Sequence, residues 1–199
     1  MKLTLKHALA AILLVLAFAA SVAAGPLEDA DAAYSRGDYA TALRIIRPLA
    51  EQDNASAQFR LGVMYGSGDG VPKSDAEQLK WFRRAAYQGD ADAQYSLGSM
   101  YNLGIGVQQD YAEALKWYRL AADQGRADAQ DILGTMYAQG QGVPQDYVRA
   151  HMWLNLSAAK GDQDAAKNRD NIAQHMTPAQ IAEAQKLARE WKPTKQADR

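Results

Sequence analysis

Small and apolar residues gather on one side of a helical segment between Ala55 and Ser67, and the same side is repeated twice further along the chain. At 100° per residue, Ala57, Gln58, Leu61, Gly62, Met64 and Tyr65 fall within an arc of about 160°. Ser56, Phe59, Arg60, Val63, Gly66 and Ser67 fill a separate arc of about 120°. The first set keeps its residue type at both later positions, 36 and 72 residues on, while the second set changes. One side is therefore held by packing and the other is open to variation. A second amphipathic segment follows in each unit and carries Trp81, Trp117 or Trp153, each trailed by small residues. A buried indole removes about 150–250 Å² from water, so these tryptophans are expected in the core rather than as a sugar-stacking row.

The period is free of insertions. Ala55 to Gly62 returns at 91–98 and 127–134, Tyr65 at Tyr101 and Tyr137, and Gly89 at Gly125 and Gly161. A period of this size implies stacked helix pairs, each burying its apolar face on its neighbours. Helix A of each pair is expected to start after Asn54, Asp90 or Arg126, and helix B behind Ser74, Asp110 or Asp146, mostly residues that cap free backbone N–H groups. Between them lie connectors with two glycines each, such as Gly68 and Gly70. Leaving a helix and reversing needs positive φ, which glycine adopts without strain. Gly-x-Gly in these connectors is not a phosphate loop, because no strand precedes it and no Gly-Lys-Ser/Thr follows.

The flanks read as caps. Residues 25–53 form an opening helix pair around Tyr34, Gly37 and Tyr39, with Pro48 expected to bend the second helix. Residues 162–191 form closing helices, the last opened by the capping box Thr177-Pro178-Ala179-Gln180. Ile181, Ala184, Leu187 and Trp191 mark its apolar face. Residues 192–199 carry no apolar period and read as a disordered tail. At the other end, Lys2 and Lys6, an apolar run from Ala8 to Ala20 and the small residues Ser21 to Ala24 have the layout of a secretory signal peptide, residues 1–24, cleaved between Ala24 and Gly25. The run is short for a membrane span. An uncleaved anchor is the alternative, but small residues rather than a basic stop follow it. The mature chain is then expected in the periplasm or medium, with no span left.

Composition narrows the chemistry. The formal net charge is −1, there is no cysteine, and no basic cluster resembles a phosphate-binding surface, so nucleic acid is not an expected partner. Stability must come from apolar packing without disulfides. His151 and His175 are far apart in sequence with no carboxylate at ligand spacing, and a zinc site usually needs three or four protein ligands. No catalytic residue, metal or cofactor is expected. His151 stands where the other copies have leucine and reads as a partly buried helix residue off the packing positions. Asp90, Asp92, Asp128, Asp162 and Asp164 cluster at helix starts, where capping and the helix dipole account for them.

Ala-x-Ala-Gln-Tyr-x-Leu-Gly-x-Met-Tyr, followed by Gly-x-Gly-Val-x-x-Asp-Tyr-x-x-Ala-x-x-Trp-Tyr and Ala-Ala-x-x-Gly, resembles the Sel1-like repeat, a relative of the tetratricopeptide repeat. The middle copy, residues 91–125, fits nearly throughout. The first departs at Ser74-Asp75 and the third at Arg149 and His151. The resemblance covers 54–161 as three repeats and implies an all-α fold, a right-handed α-solenoid of antiparallel helix pairs with helix A on the concave side. It also implies a monomeric, exported, non-enzymatic scaffold or adaptor for protein–protein interaction, in envelope signalling or complex assembly. A protein associated with envelope polysaccharide or peptidoglycan is the alternative. A hydrolase of the β-lactamase-like type ranks last, because the relatives tied to penicillin binding depend on paired cysteines that this chain lacks. On the concave face Phe59, Arg60 and Val63, Tyr95, Ser96 and Ser99, and Ile132 and Thr135 are the expected partner-binding strip.

Overall fold

The computed structural model describes residues 25–194. The leader expected at 1–24, with Ala24 of its cleavage bond, lies outside the described residues. So do residues 195–199 of the expected tail. Gly25 stands at the start of the first helix.

Ten helices follow one another among the described residues. They are α1 (Pro26–Ser35), α2 (Tyr39–Glu51), α3 (Ala55–Ser67), α4 (Asp75–Tyr87), α5 (Ala91–Leu103), α6 (Tyr111–Asp123), α7 (Ala127–Gln139), α8 (Tyr147–Ala158), α9 (Gln163–Ala173) and α10 (Pro178–Glu190). From α1 to α9 each packs chiefly on its sequence neighbours, and α10 packs on α8. The result is an α-solenoid of helix pairs. α3, α5 and α7 are the A helices of the repeats, and α4, α6 and α8 the B helices.

The caps set the boundaries. Asn54 Oδ1 accepts from Ala57 N at 2.9 Å, Asp90 Oδ1 from Ala93 N at 2.9 Å, and Ser74 Oγ from Glu77 N at 3.2 Å. Arg126 has no capping oxygen, and the side chain of Asp128 accepts from Ala129 N at 2.8 Å. Thr177 and Gln180 form the reciprocal capping box that opens α10. Pro48 lies inside α2, which continues to Glu51.

Packing within a pair rests on missing side chains. A Cβ at Gly98 would lie 2.9–3.1 Å from the ring of Tyr118, so only glycine lets α5 close on α6. In the third connector Gly142 has φ +69°, and a Cβ there would sit on the backbone of Tyr111 at the start of α6. That glycine serves both the turn and the contact between repeats. Trp81, Trp117 and Trp153 are 7%, 8% and 2% exposed, which removes them as a platform for sugars. Trp153 meets the edge of Trp191 at 6.2 Å, which ties the end of α10 to the last repeat. Lys192 to Thr194 continue from there, and Thr194 N donates to Asp123 O at 2.8 Å.

The invariant glutamine of each A helix performs a task that packing alone does not explain. Gln58, Gln94 and Gln130 are buried, and their Nε2 groups donate at 3.1 Å to the carbonyls of Ala50, Ala86 and Ala122. Those carbonyls, which also accept the backbone N–H of Asp53, Gly89 and Gly125, belong to the last turns of α2, α4 and α6. Each bond therefore joins one B helix to the next A helix. The Oε1 of Gln58 accepts from Gln88 at 2.6 Å, and that of Gln94 from Gln124 at 2.8 Å. In the third repeat Lys160 occupies the equivalent position and bonds Gly125 O instead, which leaves Gln130 Oε1 buried without a partner. Lys160→Gln is expected to complete the ladder and raise stability by about 0.5–1.5 kcal/mol, the net worth of one hydrogen bond. A urea melt checks it; an unchanged or lowered midpoint would show the orphan oxygen to be satisfied already.

Candidate functional site

The variable sides of α3 and α5 meet at two neighbouring recesses that share Val63. The first, about 280 Å³, is bordered by Asp31 and Tyr34 of α1, Phe59, Arg60 and Val63 of α3, and Asp92 of α5. The second, about 470 Å³, takes in Ser67, Phe82, Tyr95, Ser96, Ser99 and Ile105. α1, α3 and α5 thus border two adjoining recesses, together the hollow of this face. Six of the eight residues expected as a strip come together there: Phe59, Arg60, Val63, Tyr95, Ser96 and Ser99. Thr135 lines a separate, smaller hollow with Asn168 and Asn171 of α9, and Ile132 packs against the cluster of Ala114, Tyr118 and Met136.

The floor is aromatic and braced from below. Phe59 stacks on Phe82 with ring centroids 5.4 Å apart, and Tyr95 lies tilted on Tyr118 at 5.6 Å. The Tyr118 hydroxyl, buried in the pair, donates to Ser99 Oγ at 3.0 Å, and burial pushes its pKa up to about 12. Ser99 is therefore more than a tolerant surface position. Arg126 crosses over the Tyr95 ring at 4.5 Å.

Two arginines fix the rim. Arg60 holds both oxygens of Asp31 at 2.5 Å and gives its third nitrogen to Ser56 O at 3.2 Å. This fork holds the Asp31 carboxyl below the usual carboxylate range and raises the guanidinium further. Arg126 grips Asp128 at 2.7 and 2.9 Å and reaches back to Asp92 of the preceding repeat with its remaining nitrogen. Asp90, largely shut from water as it caps α5, has its carboxyl pushed up by burial. The Tyr34 hydroxyl donates to Asp69 at 2.5 Å, which raises the phenol, while the Ser67 hydroxyl first and Tyr34 second lower the acid.

Sequence reasoning missed three features of this hollow. Ile105, 39% exposed, projects into the second recess from between two connector glycines. Its signal was available, since the other copies have Asp69 and Gln141 there. Asp92 and Asp128, read as helix-start acids, instead share Arg126. Asp31 comes from the opening pair, which no repeat comparison covers.

His151 corrects an expectation. It is 4% exposed and sits among the packed residues of α8, and its Nδ1 has no hydrogen-bond partner. Burial, with Arg169 nearby, holds its pKa below 6.5, and the opposing pull of Asp170 is weaker. The unfolded chain then binds a proton that the folded chain resists, so stability is full above about pH 6.5 and is lost as pH falls below it. His151→Leu, the residue of the other copies, is expected to stabilise by about 1 kcal/mol at neutral pH and by more at pH 5. Paired melts at pH 7.5 and 5.0 check this, and a gap that does not widen at pH 5.0 would contradict it. His175 stacks on Tyr147 at 6.0 Å. Among the described residues no group of three or more His, Asp or Glu is placed to hold a metal ion. No described helix is long and apolar enough to cross a membrane.

The Sel1 repeat model matches residues 55–90, 91–125 and 127–162, more than half of the chain. Two solved structures are similar. One is a Sel1 repeat protein from Oxalobacter formigenes, with 33% identity and TM-score 0.69 over 72% of this chain and 59% of that one. The other is c5321, a protective antigen present in uropathogenic Escherichia coli strains and displaying an SLR fold, with 30% identity and TM-score 0.57 over 76% of this chain and 40% of that one. This chain thus spans less than two thirds of either. No curated protein matches it.

Proposed function

Because the chain belongs to the Sel1 repeat family, whose arrays generally mediate protein interactions, we propose that it is an exported, non-enzymatic scaffold that holds a protein partner in the hollow of α1, α3 and α5. The observation that carries this reading is the recess itself. Phe59, Val63, Tyr95 and Ile105 leave apolar and aromatic area partly open on the side that varies between repeats, where polar residues would suffice for solubility alone. Its role is then in complex assembly or signalling at the cell envelope, and one chain suffices to form the hollow.

Export is supported by the basic start, apolar run and small-residue site of residues 1–24. That a structural relative is a protective antigen fits a chain delivered beyond the cytoplasm. The expected product begins at Gly25, and intact mass of the chain recovered outside the cytoplasm tests it; Met1 on that product would refute cleavage. Partner class is tested by immobilising the chain, capturing from envelope extract and screening the same preparation on a glycan array. Saturable capture of one protein supports the scaffold. Binding to polysaccharide or peptidoglycan alone would replace it with the glycan-associated reading.

A further inference from the structure

Charge is sorted between the two helix layers. Asp31 and Asp92 line the first recess with Arg60, Asp128 lies beside Tyr95 through Arg126, and α1, α3, α5 and α7 carry six acids against Arg60 alone. The outer helices α2, α4, α6 and α8 are balanced, with eight Lys and Arg against eight Asp and Glu once their capping residues Asp38, Asp110 and Asp146 are included. The acidic excess of the repeats therefore lies on the recess-side helices.

The two inward arginines do not reverse that sign. All three nitrogens of Arg60 are engaged, two by Asp31 and one by Ser56 O, and all three of Arg126 are engaged by Asp128 and Asp92. Arg60 is neutralised by Asp31, and Arg126 is shared by two acids, which leaves the Asp92–Arg126–Asp128 group with one negative charge in excess. Each carboxylate oxygen accepts more than one hydrogen bond. Asp92 and Asp128 remain 58% and 44% exposed while paired, and so can take a second cation. An acidic segment entering the hollow would meet uncompensated repulsion, whereas a basic one would meet ready acceptors beside an apolar floor.

Taking the hollow as the docking surface argued above, we propose that its occupant is a basic segment of the protein partner, with an aromatic or aliphatic side chain on Phe59 and Val63 and flanking lysine or arginine on Asp92 and Asp128. The apolar anchor supplies affinity, and the carboxylates supply the sign of the partner and the speed of encounter.

The test is selection of a random peptide library of about twelve residues, displayed on phage, against the purified chain. Selected peptides are then synthesised and titrated against wild type, Phe59→Ala and the exposed pair Asp92→Asn/Asp128→Asn. The expected peptides are net positive with an apolar residue beside Lys or Arg. Their affinity falls about tenfold in each variant and weakens further as salt rises across the screening range. Circular dichroism confirms that the variants stay helical. Neutral or acidic peptides that lose affinity in Phe59→Ala overturn the charge assignment and leave the docking surface standing. Basic peptides that lose affinity in Phe59→Ala but not in the Asp92 and Asp128 pair do the same. Peptides unaffected by Phe59→Ala, or no selection above background, overturn the docking surface and the basic occupant together.

Discussion

Trp117→Ala lowers the stability of the chain by about 3–5 kcal/mol, the range for truncating a large buried aromatic. The indole is 8% exposed and packs in one cluster with Phe82, Ala85 and Ala86 of α4 and Ala93, Leu97 and Met100 of α5. Tyr87, at the end of α4, meets its edge at 5.2 Å. Trp117 itself comes from α6, so the cavity left behind opens at the joint between the first and second repeats. Stability in a stacked array is close to a sum of unit and interface terms, and this one side chain contributes to both. Ser99→Ala provides the contrast. On the variable side it would cost under roughly 0.5 kcal/mol as an ordinary surface change, but it strands the Tyr118 hydroxyl, and about 1–2 kcal/mol is expected instead. Urea melts rank the three proteins as wild type, Ser99→Ala, Trp117→Ala. Equal midpoints for the two variants would contradict the packing described.

Phe59→Ser combined with Tyr95→Ser abolishes capture of the partner while helical content is kept. The pair removes the two open aromatic surfaces of the adjoining recesses without adding charge. Interfaces draw most of their energy from a few such anchors, each costing about 2 kcal/mol or more when truncated. Losing two drops affinity by roughly a thousandfold, since each 1.4 kcal/mol is tenfold. Both rings are half-buried on Phe82 and Tyr118, which stay in place. Capture is compared at matched concentration, with circular dichroism on each protein. Full retention by the double variant would move the binding surface to the outer helices or the connectors.

The fold was legible because the chain states its pattern three times. A residue type that survives at Leu61, Leu97 and Leu133 is fixed by packing, and one that changes across Phe59, Tyr95 and Asp131 is not. That angle alone located the side of α3 and α5 that borders the hollow. It did not show where the next helix covers that side, so Ile132 and Thr135 fall away from the other six, drawn against Tyr118 and against α9. Contacts between repeats were also beyond it. Arg126 reaches Asp92 across a repeat, a pairing that a helix-start explanation of acidic residues conceals. Gln58, Gln94 and Gln130 looked like packing because they never vary, yet each also bonds a carbonyl of the preceding helix. His151 shows the converse. A polar residue at a leucine position reads as only partly buried, whereas the helix leaves it no way out.

The central claim, that the hollow of α1, α3 and α5 is where a protein partner sits, is tested most directly by site-specific photo-crosslinking in cells. A benzophenone-bearing phenylalanine analogue replaces Phe59 in one chain and Lys116, exposed on the outer helix α6, in another. The predicted result is one discrete protein adduct from the position-59 probe and none from the position-116 probe. An adduct from position 116 with none from position 59 would contradict the account.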